Sequence, residues 1–268
     1  PDALICVDHE GGRVQRFRTD GFTHLPPMRR LGELWMQAAP RSAPAATAAM
    51  QACKAATACG FVLGAELRAC GVDLSFTPVL DLDHGESGVI GDRAFHRDPQ
   101  IVSVLAHNLM HGLLQSGMAN CGKHFPGHGD TGVDSHFDIP VINHNRARLD
   151  SLELFPYREL ISKGLQGVMV GHLSIPSLDS TAMLASTMSK PIITGLLRDS
   201  LKFEGLVFTD AMDMKGATKM FPEGQANVKA FLAGNDILET FVDVPAAFNA
   251  IKKALTEGEI TEAELDKR

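Results

Sequence analysis

The stretch Ala119-Asn-Cys-Gly-Lys123-His124-Phe-Pro-Gly-His128-Gly-Asp130-Thr-Gly-Val-Asp134-Ser-His136 begins as a short apolar run. It closes on a lysine and a histidine, then opens into glycines and polar residues. The same grammar recurs along the chain. Apolar runs at 3–7, 74–80, 119–124, 167–171, 206–208 and 236–238 are each followed by a polar or glycine-rich loop. Helical patterns fall at 43–70, 99–116, 149–163, 190–201, 225–233 and 245–257. Short buried strands alternating with helices predict a parallel α/β sheet. Runs that are apolar throughout fit strands covered on both faces. A doubly wound sheet and a (β/α)8 barrel both satisfy that alternation. The polar residues favour the barrel, because Asp8, Asp81, Lys123 with His124, His172, Asp210 and Glu239 each close a different run. Barrel enzymes draw their chemistry from the ends of several strands, whereas a doubly wound sheet gathers its ligand at one switch point.

Composition narrows the class. A chain of 268 residues with 44% hydrophobic and 21% charged residues can bury an ordinary core, so disorder is not expected. No hinge rich in proline, glycine or serine divides it, and one domain over residues 1–268 is expected. The alanine-rich run from residue 43 to 69 reads as a helix packed closely through small side chains. A formal charge of −7 disfavours nucleic acid, which wants a basic face. No apolar run of ~18 residues could span a bilayer, and no signal peptide is evident. The five cysteines, Cys6, Cys53, Cys59, Cys70 and Cys121, form no CxxC pair. Free, mostly buried thiols in a reducing compartment follow, and with them a cytoplasmic location.

Four segments carry chemistry. In residues 7–16, a carboxylate at a strand end, Asp8, is followed by two glycines and two arginines, a loop fit for a polar ligand or for a plain surface ion pair. In residues 90–99, Arg93 offers fixed donors for hydroxyls or anions, while Asp98 before Pro99 reads as a helix cap. Residues 123–136 hold three histidines, two aspartates and a lysine, too many polar groups to bury unpaired. Two chemistries compete there. His124, His128 and His136 with Asp130 or Asp134 could ligate a metal, although the spacing matches no short zinc pattern such as HExxH. Alternatively, Asp134 and His136, one residue apart and on one side of an extended stretch, form an acid/base pair. A carboxylate beside an imidazole fixes its tautomer and equips it for proton transfer near neutrality. Gly127, Gly129 and Gly132 would let this loop move. In residues 206–216 a buried strand ends at Asp210, the position of a nucleophile in a barrel. Met212 and Met214 read as packing groups, and Asp213 as a helix-start residue. His172 ends another strand and suits either a structural role or a substrate contact.

The words DHEGGRVQRF, DLSFTPVLDL, IGDRAFHRDP, KHFPGHGDTGVDSH and FTDAMDMKGA occur in that order between residues 8 and 217. Together they resemble family 3 glycoside hydrolases, and within them the bacterial β-N-acetylglucosaminidases of peptidoglycan recycling. The long KHFPGHGDTGVDSH word is the specific one; GGRVQR alone is weak. His9 stands where that branch usually has glutamine. The resemblance implies a (β/α)8 barrel and a retaining mechanism with Asp210 as nucleophile, His136 as general acid/base and Asp134 as its partner. It further implies that Asp8, Arg16, Arg93, Lys123 and His124 hold a terminal N-acetylglucosamine, with His172 near the sugar. The implied substrate is an N-acetylglucosaminyl-anhydromuramyl peptide, and no metal or organic cofactor is called for. Members of this type carry about one βα unit before the DHEGG strand, so the first unit and part of the last helix are expected to be absent here. A glycoside phosphorylase of the same branch and an inactive sugar-binding fragment are the alternatives.

Overall fold

The computed structural model describes residues 3–37, 43–221 and 224–268. The chain divides into two compact α/β units, one of residues 1–130 and 148–167, the other of residues 131–147 and 168–268.

In the first unit, β1 (Cys6–Val7) leads into an antiparallel hairpin of β2 (His9–Gly11) and β3 (Val14–Gln15). Gly11 and Gly12 turn the hairpin at φ of 99° and 57°, which a side chain would resist. Then come α1 (Arg29–Trp35), α2 (Ala43–Ala69), β4 (Leu74–Ser75), α3 (Pro99–Gln115) and β5 (Ala119–Phe125). The strands pair in parallel, Cys6 with Leu74 and Leu74 with Ala119. The run expected to be a strand over 74–80 is interrupted, because Pro78 has no N–H to give the ladder. Pairing resumes as a bridge between Val79 and Lys123. The long alanine-rich helix is present, and it packs on α3 through glycines. A Cβ at Gly60 would strike the Leu109 carbonyl, and one at Gly112 the Thr57 carbonyl. Leu63, Leu67, Leu113 and Met118 form the core under that contact. Asp98 caps α3 as expected, its carboxylate accepting from the Gln100 N–H at 2.8 Å. The helix expected over 149–163 is two pieces, α4 (Arg146–Ser151) and α5 (Phe155–Ile161). Pro156 in the first turn of α5 cannot continue a preceding helix.

The second unit holds β6 (Gly167–Val170), whose first residue belongs to the other unit, and β7 (Leu206–Thr209) as hydrogen-bonded neighbours. The run at 236–238 contributes a single parallel bridge, Ile237 to Phe208, instead of a full strand. Helices α6 (Lys215–Thr218), α7 (Gln225–Ala233), α8 (Val244–Thr256) and α9 (Glu262–Leu265) follow. The helix expected over 190–201 is a π-helix, Pro191–Ser200. Met188, Met212 and Ala230 share one core cluster, so Met212 packs as anticipated. Five of the six expected runs therefore contain a strand; Asp8 and Asp210 each follow one directly, and His172 follows one after Gly171. No helix among the described residues is long and apolar enough to cross a membrane. Of the five cysteines, expected to be mostly buried, only Cys121 is fully buried, and Cys70 is exposed.

Candidate active site

Three of the expected sugar-binding residues meet in the first unit around a buried cation. Lys123 leaves β5 with 1% of its surface exposed, and its Nζ lies 2.6 Å from Asp8 Oδ1 and 2.7 Å from Glu10 Oε1. Arg93 donates to both oxygens of Glu10 at 2.9 and 2.7 Å. Burial alone would raise the Glu10 carboxyl, but Lys123 and Arg93 outweigh it and hold the group ionised. Asp8 behaves likewise: burial pushes it up, while Lys123, then Arg16 and Arg93, bring it down to about 2. Lys123 is held charged by Asp8 and Glu10 against its own burial. Arg16 lies 3.4 Å from Asp8 and is mostly exposed. Asp8 keeps 38% of its side chain in solvent, so it is the member of this group open to a ligand.

Glu10 was not singled out from sequence as a site residue. Hydrophobic pattern could not have found it, because the three residues of β2 are His9, Glu10 and Gly11 and all three are buried, with no alternation to set one apart. Here a charged residue takes a buried place because two cations already wait there.

His124 is fixed by Asp81, with Nδ1 2.7 Å from Asp81 Oδ2. Asp81 also accepts the backbone N–H of His124 and, at 2.6 Å, that of His128. Burial raises Asp81, and His124 and His128 bring it below the usual carboxylate range. Among the described residues the converging ligand-type atoms belong to His84, Asp130 and Glu153, within 4.8 Å of one another.

In the second unit, Asp134 and His136 pair as expected but not in extended chain. The Asp134 Oδ1 lies 2.7 Å from His136 Nδ1 and accepts the His136 backbone N–H at 2.9 Å. The pair thus closes on itself as a turn, with backbone and ring satisfied by one carboxylate. With Asp134 ionised, Nδ1 is the donor to it, and Nε2 is the ring nitrogen able to exchange a proton elsewhere. The His136 side chain is 60% exposed. The turn is held from α6: the Gly216 N–H donates to the Ser135 carbonyl at 3.0 Å, and Lys215 to that of His136 at 3.4 Å. Lys219 secures Asp138 at 2.6 Å.

Asp210 stands directly after β7. Its Oδ1 accepts the Ala211 N–H at 2.8 Å, and its own N–H donates to the Val170 carbonyl. His172 is fully buried and lies behind this turn. Its Nε2 donates to the Ala211 carbonyl at 2.9 Å, and Nδ1 lies 2.9 Å from the Thr187 hydroxyl. Of the two roles open to His172, the structure supports the structural one: it braces the peptide after Asp210. A Cβ on Gly216 would come within 2.7 Å of the His172 Cβ and 3.0 Å of the Ser135 carbonyl. That bare position lets the 135–136 turn and His172 share the start of α6. Flexibility assigned to Gly127 and Gly129 is corrected. Both are buried, Gly129 against the Leu82 carbonyl and Gly127 at φ 138° against Glu153. They are glycines of close approach, and of the three only Gly132 is exposed.

Known proteins are similar to this chain in sequence and in fold. A β-hexosaminidase of Nitrosospira multiformis is 49% identical over 238 residues, covering 89% of this chain and 64% of its own. One from Bordetella pertussis is 49% identical over 215 residues, covering 80% and 57%. The chain therefore spans about three fifths of the length of these curated relatives. Among solved structures, a family 3 β-N-acetylglucosaminidase from Paenibacillus superposes with a TM-score of 0.88 at 36% identity, covering 98% of this chain and 47% of that one. NagZ of Neisseria gonorrhoeae, crystallised with N-trifluoroacetyl-D-glucosamine, gives 0.81 at 37% identity, covering 99% and 72%. The α/β barrel type expected from the strand-end residues is the fold of that domain. The description "Glycosyl hydrolase family 3 N terminal domain" matches residues 2–268, and the chain belongs to that family.

Proposed function

We propose that residues 1–268 act as one catalytic domain that removes terminal, non-reducing, β-linked N-acetylglucosamine from peptidoglycan-derived muropeptides in the cytoplasm. The observation that carries this proposal is the Asp134–His136 pair, with Nδ1 tied at 2.7 Å and the ring exposed. The relatives and solved structures named for hexosaminidase activity support the substrate class.

The chemistry runs in two displacements. An Asp210 carboxylate oxygen attacks the anomeric carbon while His136 Nε2–H gives its proton to the departing glycosidic oxygen. A covalent glycosyl-aspartate and a neutral imidazole result. Nε2 then takes a proton from water as the water oxygen displaces Asp210, which returns the starting states with configuration retained. Retaining glycosidases ordinarily use a second carboxyl for this exchange. A neutral imidazole adds no negative charge beside Asp210, so the nucleophile stays ionised. Asp8, Lys123, Arg93 and His124 provide directional partners for the hydroxyls of the sugar, Arg16 reinforces Asp8, and His172 holds the peptide after the nucleophile.

The test is a hydrolysis assay on an aryl N-acetyl-β-glucosaminide, followed by proton NMR of the first-formed sugar. The β-anomer is expected first, and Asp210→Ala is expected to abolish turnover. An α-anomer formed first overturns the double displacement, and a rate that requires inorganic phosphate overturns hydrolysis in favour of phosphorolysis.

A further inference from the structure

Asp130 and Arg148 are the residues that immediately precede and follow segment 131–147, which carries both Asp134 and His136. Their side chains meet, with Arg148 Nη2 2.5 Å from Asp130 Oδ2. The same Nη2 lies 3.4 Å from Glu153 Oε1, and that oxygen lies 3.3 Å from His84 Nε2. Glu153 is almost fully buried, with Gly127 seated against its side chain. We infer that Arg148 is a positioning residue for the acid/base segment, closing it at its neck as a clasp; this rests on the function proposed above.

The convergence of His84, Asp130 and Glu153 has the donor set of a cation site. The guanidinium already lies between the two carboxylates, so the cation there is the protein's own. Arg148 holds the place through one terminal nitrogen, Nη2, which reaches an oxygen of each carboxylate, and its charge persists at any working pH. Removing it would take from the buried Glu153 its permanently charged partner and leave it beside His84. Pinning both ends of a segment lowers the number of conformations it must give up to hold one geometry. Proton transfer is sensitive to that geometry, and a misplacement of about 1 Å can cost on the order of a hundredfold in rate. The turn at Asp134 and His136 orders the dyad internally; the clasp fixes where the segment carrying it starts and stops.

The experiment compares kcat/KM on two N-acetyl-β-glucosaminides, 2,4-dinitrophenyl with a good leaving group and phenyl with a poor one. It uses the full chain, Arg148→Met, Arg148→Lys, Asp130→Asn and His136→Ala, with thermal midpoints by circular dichroism. Arg148→Met is expected to lower kcat/KM on the phenyl glycoside by about tenfold and on the dinitrophenyl glycoside by less than about twofold, because only the former needs full protonation of its leaving group in the first displacement, and the second displacement, common to both, does not enter kcat/KM. Arg148→Lys should fall between it and the parent. Should Arg148→Met not fold, Asp130→Asn gives the same comparison with the neck opened from the other side. Equal losses on both substrates, or losses that follow the thermal midpoint alone, overturn the inference. If His136→Ala shows leaving-group dependence and the clasp variants do not, only the clasp role fails. If His136→Ala shows none, the acid/base assignment fails and the clasp role with it.

Discussion

At the scale of single residues, one carboxylate at 31% exposure does two jobs. Asp134 accepts both the His136 backbone N–H and its ring Nδ1–H, so the turn and the tautomer are set by the same group. Asp134→Asn can keep the turn, since an amide oxygen still accepts the backbone N–H. It loses the negative charge that steadies the imidazolium. We therefore expect Asp134→Asn to retain the parent's near-ultraviolet dichroism while kcat on poor leaving groups falls by about tenfold to a hundredfold, a part of the roughly 10²–10⁴-fold that acid/base assistance supplies. His136→Ala should fall at least as far on the same substrates. The presence of this pair was legible from the one-residue spacing, but its geometry was not. Spacing by two suggests a shared side of extended chain, and only the competition of aspartate for its own backbone donors replaces that with a turn. His172 shows the opposite difficulty. A histidine at a strand end looks the same in sequence whether its ring faces a ligand or, as here, a carbonyl and a hydroxyl.

At the scale of elements, glycines decide which segments can touch. Gly127 combines a φ of 138° with a site where a Cβ would lie 2.8 Å from the Glu153 Cβ. Gly127→Ala is accordingly expected to destabilise by about 1–3 kcal/mol, through backbone strain and overpacking together. Urea denaturation of the two proteins at one pH measures it. Gly112→Val, which would force a branched side chain against the backbone of α2, should cost at least as much and show the same way. Much at this scale was readable beforehand. The alanine-rich helix, the cap Asp98-Pro99, and the runs ending at Asp8, Lys123, His172 and Asp210 are where composition and pattern placed them. What escaped depends on backbone chemistry that hydrophobic pattern does not encode. Pro78 interrupts a strand, Pro156 divides a helix, and the 236–238 run makes one bridge. The β2–β3 hairpin hides because its glycines read equally as an open loop.

For the molecule as a whole, the Asp8, Glu10, Lys123 and Arg93 group couples stability to acid. Asp8 has its folded pKa depressed to about 2, and Glu10 is depressed as well. A depressed carboxylate stabilises fully above its unfolded value, about 4, and that contribution is lost as pH falls through the folded value. The urea midpoint should therefore drop between about pH 4 and pH 2, and Asp8→Asn should lessen that drop while lowering the midpoint near pH 6. The single tryptophan, Trp35 in α1, reports the transition by fluorescence. A midpoint independent of pH across that window would contradict the ion-pair account.

That same foursome has a consequence for how the sequence can drift over generations. Two positive and two negative side chains balance within it, and Lys123 and Glu10 are sealed from water. A lone change at Lys123 or Glu10 strands an opposite charge indoors, where water cannot mend the loss. Neutral replacements are therefore admissible mainly in matched couples, lysine with glutamate or arginine with glutamate. Residues more than eighty positions apart along the chain are thus obliged to vary together or not at all.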